Sequence, residues 1–125
     1  MPFTTGIVTN TRDFGTASSN VVVNTRNLNL VSSAIITVQI FGTADSTSFI
    51  PLHQSLYSVP PNSTDIRTFS VVGNIAYEVQ LKVDAESNPG VIMSTFGLDR
   101  FGNLVPEQGI LQSELSFINA LTPIS

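Results

Sequence analysis

The residues Ile75-Ala76-Tyr77-Glu78-Val79-Gln80-Leu81-Lys82-Val83 alternate without a break. Ile75, Tyr77, Val79, Leu81 and Val83 leave one side of an extended chain, and Ala76, Glu78, Gln80 and Lys82 leave the other. That is the period of a half-buried antiparallel strand, whose successive side chains point to opposite faces of the pleat. Gly73-Asn74, directly before it, is a hairpin-type pair, so residues 65–72 are expected to be its antiparallel partner.

Working outward, further strands follow at short spacing. Residues 20–27 read as one strand. Residues 34–42 read as another, apolar on both faces and therefore central. Residues 49–59 form an interrupted strand with Pro51 inside it, which points to an edge position or a bulge, because proline cannot donate to the ladder. Pro60-Pro61-Asn62-Ser63, Ser87-Asn88-Pro89-Gly90 and Asp99-Arg100-Phe101-Gly102-Asn103 are turns. Residues 91–98 are a strand, and residues 110–118 are expected to close the chain as one, with Leu111, Leu115 and Phe117 on a shared face. A helical turn or two over residues 112–120 is the alternative there. Seven or eight short strands with turns every few residues predict an all-β chain, a single jelly-roll or β-sandwich domain of about eight antiparallel strands.

Composition agrees with this. The 125 residues are enough for one domain with its own core. Charged residues make up 11%, less than half of the roughly 25% of an ordinary domain, and Ser, Thr, Asn, Gln, Val and Ile take their place. β-branched side chains favour strands. The net charge is −4, and the basic residues Arg12, Arg26, Arg67, Lys82 and Arg100 are scattered, so a nucleic-acid partner is not expected. No apolar run has the length of a membrane helix, and no membrane partner is expected. The opening residues lack the basic and apolar regions of a cleaved export signal. There is no cysteine, so disulfides and thiolate chemistry are excluded.

No constellation for catalysis stands out. His53 is the sole histidine and reads as a packing or surface residue; no second His accompanies it to build a zinc site. No nucleophile sits in a G-x-S-x-G setting. Asp84, Glu86 and Asn88 have the opening spacing of a calcium loop, but Pro89 stands where that loop needs Gly and its closing Glu is missing. Asn62-Ser63-Thr64 matches a glycosylation acceptor, which a plain turn explains equally well. The expectation is a chain that is not an enzyme, with no cofactor and no metal.

The unusual segment is the leader, MPFTTGIVTNTRDFG (residues 1–15). Phe3, Thr5, Ile7, Thr9 and Thr11 lie on one side of an extended chain, and Thr4, Gly6, Val8 and Asn10 on the other. Gly15-Thr16-Ala17-Ser18-Ser19 after it is a flexible composition. Either the leader is the first strand of its own sandwich, or it is a donor arm that adds to a neighbouring copy by strand addition. The expectation is the second: residues 1–18 as an N-terminal connector, residues 19–125 as the sandwich, and Phe3, Ile7, Val8 and Phe14 as the anchors of the arm at a subunit interface. Strands almost free of charge suit lateral contact with identical copies, since edge lysines are a usual guard against it.

The runs VVVNTRNLNLVSSAIITVQIFG (21–42), SVPPNSTDIRTFSVVGNIAYEVQLKV (58–83) and STFGLDRFGNLVPEQGILQSELSFI (94–118) resemble the endospore appendage subunits of Bacillus-type spores. The absence of cysteine is most similar to the thin F-type appendages of that family. The resemblance implies a jelly-roll subunit whose N-terminal connector docks into the next subunit of a fibre. It implies a homopolymer on the spore surface, made without a cleaved signal peptide, with a spore-surface anchor protein and a tip protein as further partners. Other appendage connectors carry cross-linking cysteines; this leader has none, so cohesion here is expected to be non-covalent. The rival readings are a carbohydrate- or surface-binding β-sandwich module, which would want exposed aromatics, and a viral or phage decoration protein.

Overall fold

The computed structural model describes residues 2–11, 16–84 and 90–124, of Asp84 the backbone alone. The chain is all-β. Its strands are β1 (Pro2–Thr4), β2 (Val8–Thr9), β3 (Asn20–Asn27), β4 (Ala34–Thr43), β5 (Ile50–Val59), β6 (Thr64–Ser70), β7 (Ala76–Asp84), β8 (Val91–Leu98), β9 (Leu104–Ile110) and β10 (Ser116–Phe117). One sheet has the order β10-β1-β7-β4-β5, with β2 also on β7; the other has β6-β3-β8-β9. All pairings are antiparallel. β3 pairs with β8 in one sheet and β4 with β7 in the other, and the two antiparallel sheets make a β-sandwich. The leader takes the place beside β7 that completes the first sheet.

Alternation places the core. Tyr77, Val79 and Leu81 of β7 are fully buried, as are Ile36, Val38 and Ile40 of β4 and Val21 and Val23 of β3. They meet between the sheets with Val59, Val71 and Met93. Burying each large aliphatic side chain contributes about 1.5–3 kcal/mol, and this layer is the main source of cohesion in a chain without disulfides. β4 is central, between β5 and β7. Pro51 lies on an edge strand that is also bulged: Ile40 pairs with His53 and Phe41 with Pro51, which leaves Leu52 as the extra residue. His53 closes that side of the sandwich, its Nε2 2.7 Å from the Ser70 carbonyl and its ring 5.3 Å from that of Phe69.

Two expectations are corrected. Residues 65–72 do not pair with β7. β6 pairs with β3 in the opposite sheet, and the turn between β6 and β7 carries the chain across the sandwich. The reason is local: the Asn74 N–H donates to the Val71 carbonyl at 3.1 Å and Gly73 has φ +81°, a type II turn, whose twist splays strands rather than closing a two-residue hairpin. The second correction concerns the C-terminal part. Residues 104–110 form β9, which sequence reading missed. Residues 110–118 are not one strand: Ile110 ends β9, Gln112–Glu114 is a single 3-10 turn, and β10 takes in only Ser116 and Phe117. Leu115 is buried while Leu111 and Phe117 are exposed, so these three share no face.

Candidate subunit interface at the leader

The leader lies along the edge of β7 in its own chain. Pro2, Phe3 and Thr4 pair with Lys82, Leu81 and Gln80, and then Val8 and Thr9 pair with Tyr77 and Ala76. Between the two stretches the leader carries one residue more than β7, so residues 5–7 form a bulge. Gly6 sits there with φ +72°, where a side chain would be strained. Ladder contacts bracket the bulge. The Thr5 N–H donates to the Val79 carbonyl at 3.0 Å, the Thr5 hydroxyl accepts from the Val79 N–H at 3.0 Å, and the Asn10 N–H donates to the Ile75 carbonyl at 2.8 Å.

The expected anchors have different surroundings. Val8 is buried in the core, and Phe3 is partly buried against it. Phe3 also stacks on Phe117, ring centres 4.7 Å apart. Ile7 is 68% exposed at the bulge. Phe14 lies outside the described residues, as do Glu86 and Asn88. The structure thus brings Phe3 and Val8 onto one ladder and leaves Ile7 off it.

β1 differs from β2 in having strands on both sides. Phe3 and Thr4 pair with Leu81 and Gln80 of β7 on one edge and with Phe117 and Ser116 of β10 on the other. The Ile118 N–H donates to the Pro2 carbonyl at 3.1 Å. Beyond β10 the chain crosses the sheet: Gln80 Nε2 donates to the Thr122 hydroxyl at 2.9 Å, and the Thr122 N–H donates to Gln80 Oε1 at 2.8 Å. Thr4 also donates to the Glu78 carboxylate. β1 therefore fills a slot, not merely an edge.

The other end of the leader is held by a buried polar network that sequence reading missed. Asn10, Ser18 and Gln108 are each at most 3% exposed. Asn10 Nδ2 donates to the carbonyls of Ser18 (3.0 Å) and Asn74 (2.9 Å), and its Oδ1 accepts from the Ser18 N–H at 2.7 Å. Gln108 Nε2 donates to Asn10 Oδ1 (2.8 Å) and to the Thr9 carbonyl (3.1 Å). Gln108 Oε1 accepts from the Tyr77 hydroxyl at 2.9 Å and from the Ser18 hydroxyl. A fully satisfied network of this kind specifies one arrangement, because any slip strands buried polar groups. Irregularity delivers Gln108 to it: Gly97 pairs with Val105 and Thr95 with Ile110, so Pro106 to Gly109 of β9 face Phe96 alone, with Gln108 turned inward and Pro106 and Glu107 left exposed. Gly97 leaves the room, since a Cβ there would overlap Gln108 and Ser18.

Electrostatics at the site are weak. Burial pushes the Tyr77 phenol well above its usual range. Tyr57 is also raised, chiefly by burial, with the Thr25 hydroxyl bond opposing. Backbone N–H groups of Ser48 and Thr47 hold Asp45 below the ordinary carboxylate range. A cleft of about 670 Å3 borders the leader, lined by Thr5, Ile7, Val8 and Thr9 on one side and Glu107 and Gln108 on the other. Among the described residues that line it, Glu107 is the one carboxylate and there is no cation. What this arrangement offers is backbone pairing with an extended segment. Set against family models, curated proteins and solved structures, the chain matches none of them.

Proposed function

We propose that the protein is a structural, self-assembling subunit of a spore-surface fibre that polymerises head-to-tail, its N-terminal leader docking onto a neighbouring copy. The observation that carries this reading is the leader's place in the fold. It is a separate element that completes the first sheet, and removing it would bare the β7 edge from Ile75 to Lys82 and uncover Val8's position in the core. A leader that fills this place in the next subunit makes the same contacts in trans, the logic of strand addition and domain swapping. The leader and the β7 edge are different surfaces, so the contact is heterologous and propagates into a filament.

The outer faces support close lateral packing. On the second sheet, Val22, Asn24 and Arg26 of β3 share a face with Ile66 and Thr68 of β6 and with Ile92, Ser94 and Phe96 of β8. Arg26 is the one charge among these, and it is tied to Asn62 Oδ1 at 2.8 Å. The placement on spores rests on the sequence resemblance.

The test compares the full chain with a variant lacking residues 1–10 by negative-stain microscopy and sizing. Filaments from the first and none from the second are expected. Monomers from both would return the leader to a purely intramolecular role and overturn the proposal.

A further inference from the structure

We infer that the exchanged element is β1 alone: Pro2, Phe3 and Thr4 of one copy enter the slot between β7 and β10 of another, with the bulge at Gly6 as the hinge, while β2 and Asn10 stay on their own domain. This rests on the fibre reading above and says which surface receives the arm and where the arm begins.

Three observations divide the leader at Gly6. Downstream, Asn10 is bound into Ser18, Asn74 and Gln108 by both atoms of its amide, all of it buried. Moving β2 away would break this network and leave the Tyr77–Gln108 pair beside an unfilled space. At residues 5–7 the ladder is interrupted, Gly6 holds a positive φ with nothing within 4 Å of a Cβ position, and Ile7 faces solvent. Thr5 is tied to Val79 by two hydrogen bonds, whereas the hydrogen bonds of Gly6 run to Thr4 and Thr5 of the leader itself, so a change of direction falls at Gly6, the property of a hinge. Upstream, β1 is held by pairing, the Thr4–Glu78 hydrogen bond and the packing of Phe3 against the core and Phe117, and all of these re-form with any identical copy.

The slot's fit to this occupant is visible in the chain itself. It offers backbone on both sides, Leu81 and Gln80 on β7 and Phe117 and Ser116 on β10. An apolar seat receives Phe3. A strand held on two edges leaves no bare ladder groups, which distinguishes it from simple edge addition. The hinge residues 5–7 span only about 10 Å when extended. Donor and acceptor domains therefore sit in direct contact in the fibre.

The absence of native cysteine makes a cross-linking test clean. Thr4 and Ser116 are register partners across the slot, and Thr9 and Ala76 are register partners downstream of the hinge. Filaments of the Thr4→Cys/Ser116→Cys chain, oxidised and run on a non-reducing gel, should give a ladder of covalent oligomers. Filaments of the Thr9→Cys/Ala76→Cys chain should give internally linked monomers. Ladders from both pairs would put the hinge beyond Asn10 and overturn the inference. Monomers alone from the 4/116 pair, linked internally or not, would also overturn it, while leaving the fibre reading standing. Absence of filaments from the unsubstituted chain would instead remove the fibre reading. If a double variant misfolds, chains carrying Thr4→Cys and Ser116→Cys separately are co-assembled, and a disulfide heterodimer is expected; its absence from filaments counts against the inference.

Discussion

Replacing Gln108 by Ala tests whether the buried network holds the leader end of the domain. The side chain is 3% exposed and makes four hydrogen bonds. Its loss leaves the hydroxyls of Tyr77 and Ser18, both on fully buried residues, without the acceptor they share. A stranded buried donor costs about 1–3 kcal/mol, and two of them set a range of about 2–6 kcal/mol. Gln108 also lines the cleft beside the leader, so water can enter and satisfy part of the network, which places the loss nearer about 2–4 kcal/mol. That is a large share of the roughly 5–15 kcal/mol that holds a domain folded. At about 4 °C per kcal/mol for a chain of this size, the melting midpoint should fall by about 8–16 °C. The assay is urea unfolding of Gln108→Ala followed by circular dichroism, with the exposed neighbour variant Glu107→Ala as control. Cm should drop for Gln108→Ala with the slope m unchanged, and Glu107→Ala should stay within about 0.5 kcal/mol of the parent. A loss below about 1 kcal/mol for Gln108→Ala, or equal behaviour of the two variants, would refute the reasoning.

Two other outcomes follow from the same region. Gly97→Ala places a Cβ against Gln108 and Ser18 and should cost about 1–3 kcal/mol by overpacking; combined with Gln108→Ala the losses should be less than additive in urea unfolding, and strict additivity would mean the residues do not share a space. Alkaline stability should track Tyr77. Its folded pKa is raised above the unfolded value of 10.0, so its contribution is complete below pH 10 and is lost as the pH rises through the folded value. Phenolate absorbance should therefore appear only as circular dichroism is lost, and Tyr77→Phe should move the alkaline midpoint upward at a neutral-pH cost of about 1 kcal/mol. A phenolate signal from both tyrosines near pH 10 with the fold intact would contradict the burial argument.

The residues 75–83 show what a sequence carries well. Alternation is a local property, and the face it marks is the face that Tyr77, Val79 and Leu81 bury. Pro51 likewise signalled an edge or a bulge, because a missing N–H excludes the centre of a sheet wherever the strand ends up, and the strand has both. Partner choice was not local. Gly73-Asn74 looked like a hairpin, yet the φ of Gly73 turned the chain into the other sheet and gave β6 to β3. Nor could spacing announce the Asn10–Ser18–Gln108 network, whose members are as much as 98 residues apart. Asn, Ser and Gln in a polar-rich chain carry no mark of burial until a bulge folds one inward.

The leader divides the two kinds of information. Its sequence alone determined that residues 3–11 are able to form a strand with apolar anchors, since alternation and β-branching depend on neighbours along the chain. Only the tertiary structure decided that β7 receives it, that Val8 rather than Ile7 enters the core, and that β1 lies between two strands. Those outcomes depend on which edges are bare once the sandwich has closed and on one added residue at Gly6, which sets the face that each later side chain meets.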